Sequence, residues 1–397
     1  MDSLTQIALG AAVAEVTLGK KIGNKAILWG AVGGTIPDLD VLANPILSEL
    51  QALAFHRGIT HSILFSIVGA FLFGWMVHNV YQSKYHNVIA GIGWSSLFAL
   101  ISVPIIILSG NPAVKIAAVI LLSALVYFTY RKYKDRDVPS LGTSLRDWQL
   151  LFFWTIFTHP ILDSFTTYGT QLFQPFSSFR VGFNNISVAD PLYTLPLIIG
   201  LIIISFYHRQ NDKRRTIIWG AIIVSSLYMA FTIWNKSRVN QIFTDSLQSE
   251  NIEYQRYMTS PSILNNVLWF CLAEAESEYY FGLYSFFDKE KKVILHSIPK
   301  NWDLLDAQED DNTINTLKWF SNNYYGVMKR KDGSLQINDM RYGTYDGKDT
   351  NEESFIFRFG VKKGSDGMYQ ITDEQAGPPN EDRAEIFKEL WKRIKGI

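Results

Sequence analysis

The chain has one cysteine, Cys271, among 397 residues, so an internal disulfide is excluded, and no C-x-x-C pattern occurs. There is no excess charge of either sign: 37 Lys and Arg balance 37 Asp and Glu. Without a dense basic patch, nothing argues for nucleic acid as a partner. No P-loop, G-x-G-x-x-G pattern, internal repeat or low-complexity tract is present. The amino terminus, MDSLTQIALGAAVAEVTLGKK, lacks the basic region that opens a signal peptide, since its lysines follow the apolar stretch. It reads as a retained helix.

The sequence does have apolar length. Apolar residues make up 48% of the chain and the mean hydropathy is +0.05, an average over two unlike parts. Residues 1–234 are apolar with clustered charges, and residues 235–397 are polar and interrupted by turns. The fold expected is a multi-pass α-helical membrane domain followed by a small soluble α+β domain. In the second part, VLWFCLAEAE, EYYFGLYSFF, KKVILHSI and SFIFRFGVKK read as strands. SRVNQIFTDSLQ reads as an amphipathic helix and EDRAEIFKELWKRIK as a closing helix, while Cys271 reads as a buried small hydrophobe.

A helix needs roughly 17–25 apolar residues to cross the hydrocarbon core. Residues 63–81, 88–108, 112–130, 191–207 and 216–234 meet that length, and 4–18, 26–36 and 148–162 are shorter. About eight membrane segments are expected, some short or broken. Counting the gaps between them, the odd ones hold Lys20, Lys21, Lys25, Lys84, Arg131, Lys132, Lys134, Arg136, Arg146, Arg209, Lys213, Arg214 and Arg215. The even ones hold Arg57 and Arg180. Basic loops stay in the cytoplasm, so the even gaps and the second domain are expected outside.

Three fragments at the edges of apolar runs carry ionisable groups, all on that outer side: TIPDLDV, FHRGITHSILF and THPILDSF. Pro37 is expected to end the second segment, and Asp38 and Asp40 in the extended chain beyond it point to one side. Paired carboxylates repel unless a proton or a cation intervenes. His56 and His61 converge only if a helix starts between them, with Gly58 as the turn and Thr60 as the N-cap. His159 and Asp163 are four apart and share a helical face, and Pro160 is expected to kink or restart the helix. Taken alone, TIPDLDV also fits a polar loop with an Asx turn, and HRGITH fits interfacial anchoring. Taken together, imidazoles and carboxylates at one membrane face suit zinc, manganese or iron, one ion or a pair. His78, His86, His208 and His296 are not read as ligands.

The order GAVGGTIPDLDV, HRGITHS, HPILDSFTTYG, PFS, ADPLYTLPL resembles the YdjM-like family of membrane-bound metal-dependent hydrolases of the bacterial inner membrane, over about residues 1–207. The resemblance implies a metal site at Asp38, Asp40, His56, His61, His159 and Asp163, with Asp190 matching a further acidic position. Many members carry a histidine near Gln6, where this chain has a neutral amide. The expected activity is metal-dependent hydrolysis of a lipid, or of a lipid-linked ester or phosphoester. Asp38, Asp40 and Asp190 are candidates for catalysis, and Arg57 and Arg180 for holding an anionic oxygen. A transporter, a non-catalytic metal scaffold, or an anchor displaying the second domain are the alternatives.

Overall fold

A computed structural model describes residues 1–134, 141–306, 308–376 and 383–397; Arg136 lies outside the described residues. The chain opens with α1 (Ser3–Ile22), whose N-cap Asp2 accepts from the Thr5 amide. It turns at Gly23, at φ +61°, into α2 (Asn24–Thr35). The two helices meet through glycine: a Cβ on Gly10, Gly30 or Gly34 would run into the partner helix's backbone. Small residues four apart, as Gly30 and Gly34 are, let helix backbones approach closely inside a bilayer.

Past α2 the axis bends by 45° into a 3-10 segment, Pro37–Ile46. The extended chain expected there is replaced by a tight helix, and Ile36 keeps helical angles despite the following proline. Then come α3 (Glu49–Phe55), started by a Ser48–Gln51 capping box, and a 3-10 turn at Ile59–His61. The remaining helices of this region are α4 (Ile63–Gln82), α5 (His86–Leu108), α6 (Pro112–Lys134), α7 (Leu145–Asp163), α8 (Pro191–Ser205) and α9 (Asp212–Ser249). Helix α4 is capped by Ser62, which accepts from the Phe65 amide at 3.0 Å; the N-cap expected at Thr60 is not used. Helix α7 runs through Pro160 instead of restarting there. The proline lies within the last turn, so it costs one ladder bond close to where the helix ends.

Eight spans are not supported. Among the described residues, α4, α6 and α9 are long and apolar enough to cross a membrane, or four if α2 and the bent 3-10 segment make one span. Helix α8 has 15 residues, too few for a regular span, and α1 carries Glu15, Lys20 and Lys21 in its second half. Arg214, one of the basic residues expected in a loop, is buried in α9 and binds both oxygens of Glu15 at 2.6 and 2.7 Å.

The chain forms two compact units, residues 1–68 with 154–397, and residues 69–153. The second pairs α5 with α6 and stacks Trp148 on Tyr81 with centroids 5.1 Å apart. In the first unit, Leu9, Leu197, Ile218 and Met229 share a core formed by α1, α8 and α9. One end of this helical group is basic: Arg209 donates to the Lys21 carbonyl, beside Lys20 and Lys213. Twenty residues of α1, about 30 Å, separate that end from Asp2.

Helix α9 has 38 residues, about 57 Å, nearly twice the hydrocarbon thickness. The segment expected as a separate amphipathic helix is its continuation. That extension buries Val239, Phe243 and Leu247 against Trp269, Cys271 and Ala273. The last three lie in an antiparallel sheet ordered β1 (Arg256–Pro261), β2 (Leu268–Glu274), β3 (Glu278–Ser285), β4 (His296–Pro299). After α10 (Asn312–Phe320) a second antiparallel sheet follows, β5 (Tyr325–Lys329), β6 (Leu335–Asp339), β7 (Phe357–Lys363), β8 (Tyr369–Ala376), and then α11 (Arg383–Ile394). Leu53 of α3 enters the core of the second sheet beside Ile314, Leu317 and Phe320.

Candidate metal centre

A 3-10 helix has three residues per turn, so residues two apart point about 120° away from each other. This separates the two carboxylates of PDLD, which were expected to face one way. Asp38 faces His61 and His159, with Oδ1 3.4 Å and 3.3 Å from their Nε2 atoms. Asp40 faces the following loop, where it takes His56 Nδ1 at 3.1 Å, the Arg57 amide at 3.0 Å and the Thr60 hydroxyl at 3.4 Å. Arg57 sits at φ +56°, a left-handed conformation that costs a non-glycine residue on the order of 1 kcal/mol or more. The turn occurs there and not at Gly58, and it aims the Arg57 amide at Asp40.

His159 and Asp163 stack one turn apart at the end of α7, with Nε2 and Oδ2 3.4 Å apart. His159 Nδ1 lies 2.6 Å from the Gly34 carbonyl, which can only accept, so the proton is on Nδ1 and the Nε2 lone pair faces inward. His61 is held alike. Its Nδ1 lies 3.1 Å from Thr60 Oγ1 and 3.5 Å from Asp40 Oδ2, and its Nε2 turns to Asp163 Oδ2 at 3.4 Å and His159 Nε2 at 3.2 Å. Acceptors behind Nδ1 fix the tautomer and the ring plane of a metal-binding histidine.

Asp38, His61, His159 and Asp163 therefore bring one ligand atom each within 4.8 Å of all the others. A tetrahedral ion with bonds of about 2.0–2.1 Å holds its ligand atoms about 3.3 Å apart. The measured imidazole–imidazole and imidazole–carboxylate separations, 3.2–3.4 Å, match that edge. The two oxygens of Asp163 divide their duties. Oδ1 takes the Met1 amine and the Gln6 amide, the latter at 2.9 Å, while buried Oδ2 has no hydrogen-bond donor. Arg57 Nε is 3.3 Å from Oδ2, near enough for attraction but not aligned to donate. Two carboxylates, two inward lone pairs and an undonated buried oxygen fit a divalent cation, and the set is all nitrogen and oxygen.

Two residues expected as ligands stand one layer out. Asp40 backs His61 and His56. The His56 side chain is 31% exposed and sets its ring edge against Tyr168, centroids 5.4 Å apart. Asp190 is not part of the four-residue group: it caps α8 through the Leu192 amide at 3.0 Å and accepts from Tyr228 at 2.8 Å. Asp followed by Pro at a helix start is itself a capping signal, legible in ADPLYTLPL. Gln6 reaches the site as a donor, and its Oε1 is buried without a partner. Sequence reading missed Thr166, which accepts from Arg57 Nη1 at 3.0 Å, and Tyr168, whose ring lies 4.9 Å from the Arg57 guanidinium carbon. Phe320 of the second domain sets its ring against Tyr168, centroids 5.3 Å apart, and no local pattern in TLKWFSN marks it.

No curated protein and no solved structure matches this chain. The YdjM inner membrane protein family matches residues 1–108 and 115–239, a stretch that holds all four cluster residues, Asp40, His56 and Arg57 and ends inside α9 before the sheets. Over more than half its length, then, the chain carries the family's sequence, and it belongs to the YdjM inner membrane protein family.

Proposed function

We propose that the protein is a membrane-embedded metal-dependent hydrolase whose ion, zinc in the first instance, is held by Asp38, His61, His159 and Asp163. The observation that carries this reading is four ligand atoms within 4.8 Å of one another, with 3.2–3.4 Å between the imidazoles and from each imidazole to each carboxylate, the imidazoles being pinned from behind by Gly34 and Asp40. When bound, such an ion acts as a Lewis acid and makes water acidic enough to attack near neutral pH. Asp38 and Asp163 balance its charge. Arg57, beside Asp163, is placed to hold an anionic oxygen of the substrate. His56 donates from Nδ1 to Asp40, which leaves Nε2 to take up a proton and return it to the leaving group.

The rim supports a substrate class. Leu39, Val41, Leu42 and Ile46 around PDLD are exposed, as are Phe173, Phe176 and Phe179 in the loop after α7. Apolar side chains left uncovered beside a polar centre suit a lipid or lipid-linked ester or phosphoester at the interface. The orientation is read from the basic end of α1, which the positive-inside rule assigns to the cytoplasm. The cluster and the sheets would then lie on the outer face.

The test is turnover. Protein purified in detergent is screened against phospholipids and soluble esters and phosphoesters, before and after a chelator and after zinc is restored. Hydrolysis that is lost with the metal and regained with zinc supports the reading. Bound metal with no hydrolysis in any class favours a metal-binding scaffold or transporter instead.

A further inference from the structure

The loop after α7 folds back on itself through paired Thr170 and Val181, with Gly169 at φ +78° next to Arg180. This turn carries Arg180 inward. Its Nε and Nη2 donate to the Tyr168 carbonyl at 3.2 and 2.8 Å. Its guanidinium carbon lies 4.6 Å from the Tyr168 ring centre, and 5.1 Å from those of Trp319 and Phe320 in the second domain. Trp319 is tied to the same loop through its indole N–H, which donates to the Ser178 carbonyl at 3.0 Å.

Among the described residues no carboxylate pairs with Arg180, and its buried Nη1 has no hydrogen-bond partner. Nearby Arg341 differs in having Asp339 at 2.6 Å. Burial lowers the Arg180 pKa to about 10, with Arg341 and Arg57 adding to the effect, so the group is still cationic at neutral pH. A partly buried cation whose buried Nη1 is left idle is costly unless an anion completes it. Tyr168 is shared: Arg57, which touches Asp163, packs on the same ring at 4.9 Å. The idle donor is thus one tyrosine away from the candidate metal centre.

We propose that Arg180 Nη1 binds a phosphate group of the substrate, and that Trp319 and Phe320 are positioning residues by which the second domain holds Arg180 for it. This deepens the hydrolase reading, because it selects phosphoesters over neutral acyl esters, and it assigns the sheets a part in recognition.

Binding of inorganic phosphate to the full chain in detergent, measured by calorimetry after the metal is removed, tests the site without catalysis. Wild-type protein should bind phosphate, Arg180→Gln should weaken it at least tenfold, Trp319→Leu at least threefold, and Arg180→Lys less than Arg180→Gln. Metal content, measured on parallel samples never exposed to chelator, should stay at the wild-type level in all three variants. Micelles doped with phosphatidic acid should compete with phosphate if the source is a lipid headgroup; a soluble phosphoester source leaves binding unchanged by them. Wild-type protein that binds no phosphate, or Arg180→Gln and Trp319→Leu proteins that bind it as wild type does, overturns the proposal. Phosphate binding in a protein that holds no metal would leave the anion site standing and sink the hydrolase. Metal-dependent turnover without phosphate binding would do the reverse.

Discussion

At the scale of single residues, the proposed centre separates groups that would touch an ion from groups that would aim them. His159→Ala removes an inward lone pair and is expected to abolish tight metal binding. Asp40→Asn keeps the shape but weakens the hold on His61, and is expected to lower metal affinity about 10–100-fold, measured by competition with a coloured chelator. His56→Ala should retain the ion and lose turnover by about 10²–10⁴-fold, as removal of a proton-transfer group does; metal loss in this variant would move His56 into the coordination sphere. The identities were legible in the sequence because ionisable side chains at the edges of apolar runs are costly unless they serve a site. The division of labour was not. It follows from Pro37–Ile46 being a 3-10 helix, which turns Asp38 and Asp40 apart, whereas an extended chain would have aligned them.

At the scale of elements, the site depends on how closely α1 and α2 approach. Gly34 has two duties: its backbone meets Gln6 and Gly10 of α1, and its carbonyl fixes the His159 ring. Gly34→Ala must push the helices apart and is expected to destabilise the fold by about 1–3 kcal/mol. Metal affinity should fall with it, read from thermal unfolding with and without zinc. An alanine variant as stable and as metal-loaded as wild type would show that the contact is slack. Long apolar helices such as α4, α6 and α9 were legible from length and hydropathy, and so were the aromatic strands β2 and β3. Short strands such as β1 and β5, and the nine-residue α10, were not, because each gains its stability from the sheet it joins more than from its own pattern. The reach of α9 past Trp234 was hidden as well. Its distal half is amphipathic toward the first sheet, and its membrane half is apolar all round, so the two read as different helices.

At the scale of the whole molecule, α9 runs from a membrane helix group into the core of the first sheet, and Leu53 of α3 enters the core of the second. The orientation proposed from the basic end of α1 puts a reporter fused after Ile397 outside the cytoplasm. An export-dependent reporter should be active there and a cytoplasm-dependent one silent; the opposite pattern would place the cluster on the inner face. What decides the account is simpler than topology or substrate. Protein purified in detergent without any chelator is analysed for metal by mass spectrometry, alongside His159→Ala and Asp163→Asn proteins shown to insert in the membrane. The account predicts about one divalent transition-metal ion per wild-type chain, as a single four-ligand site requires, and less than about a tenth of that in either variant. Metal-free wild-type protein, or equal metal in all three, would contradict it.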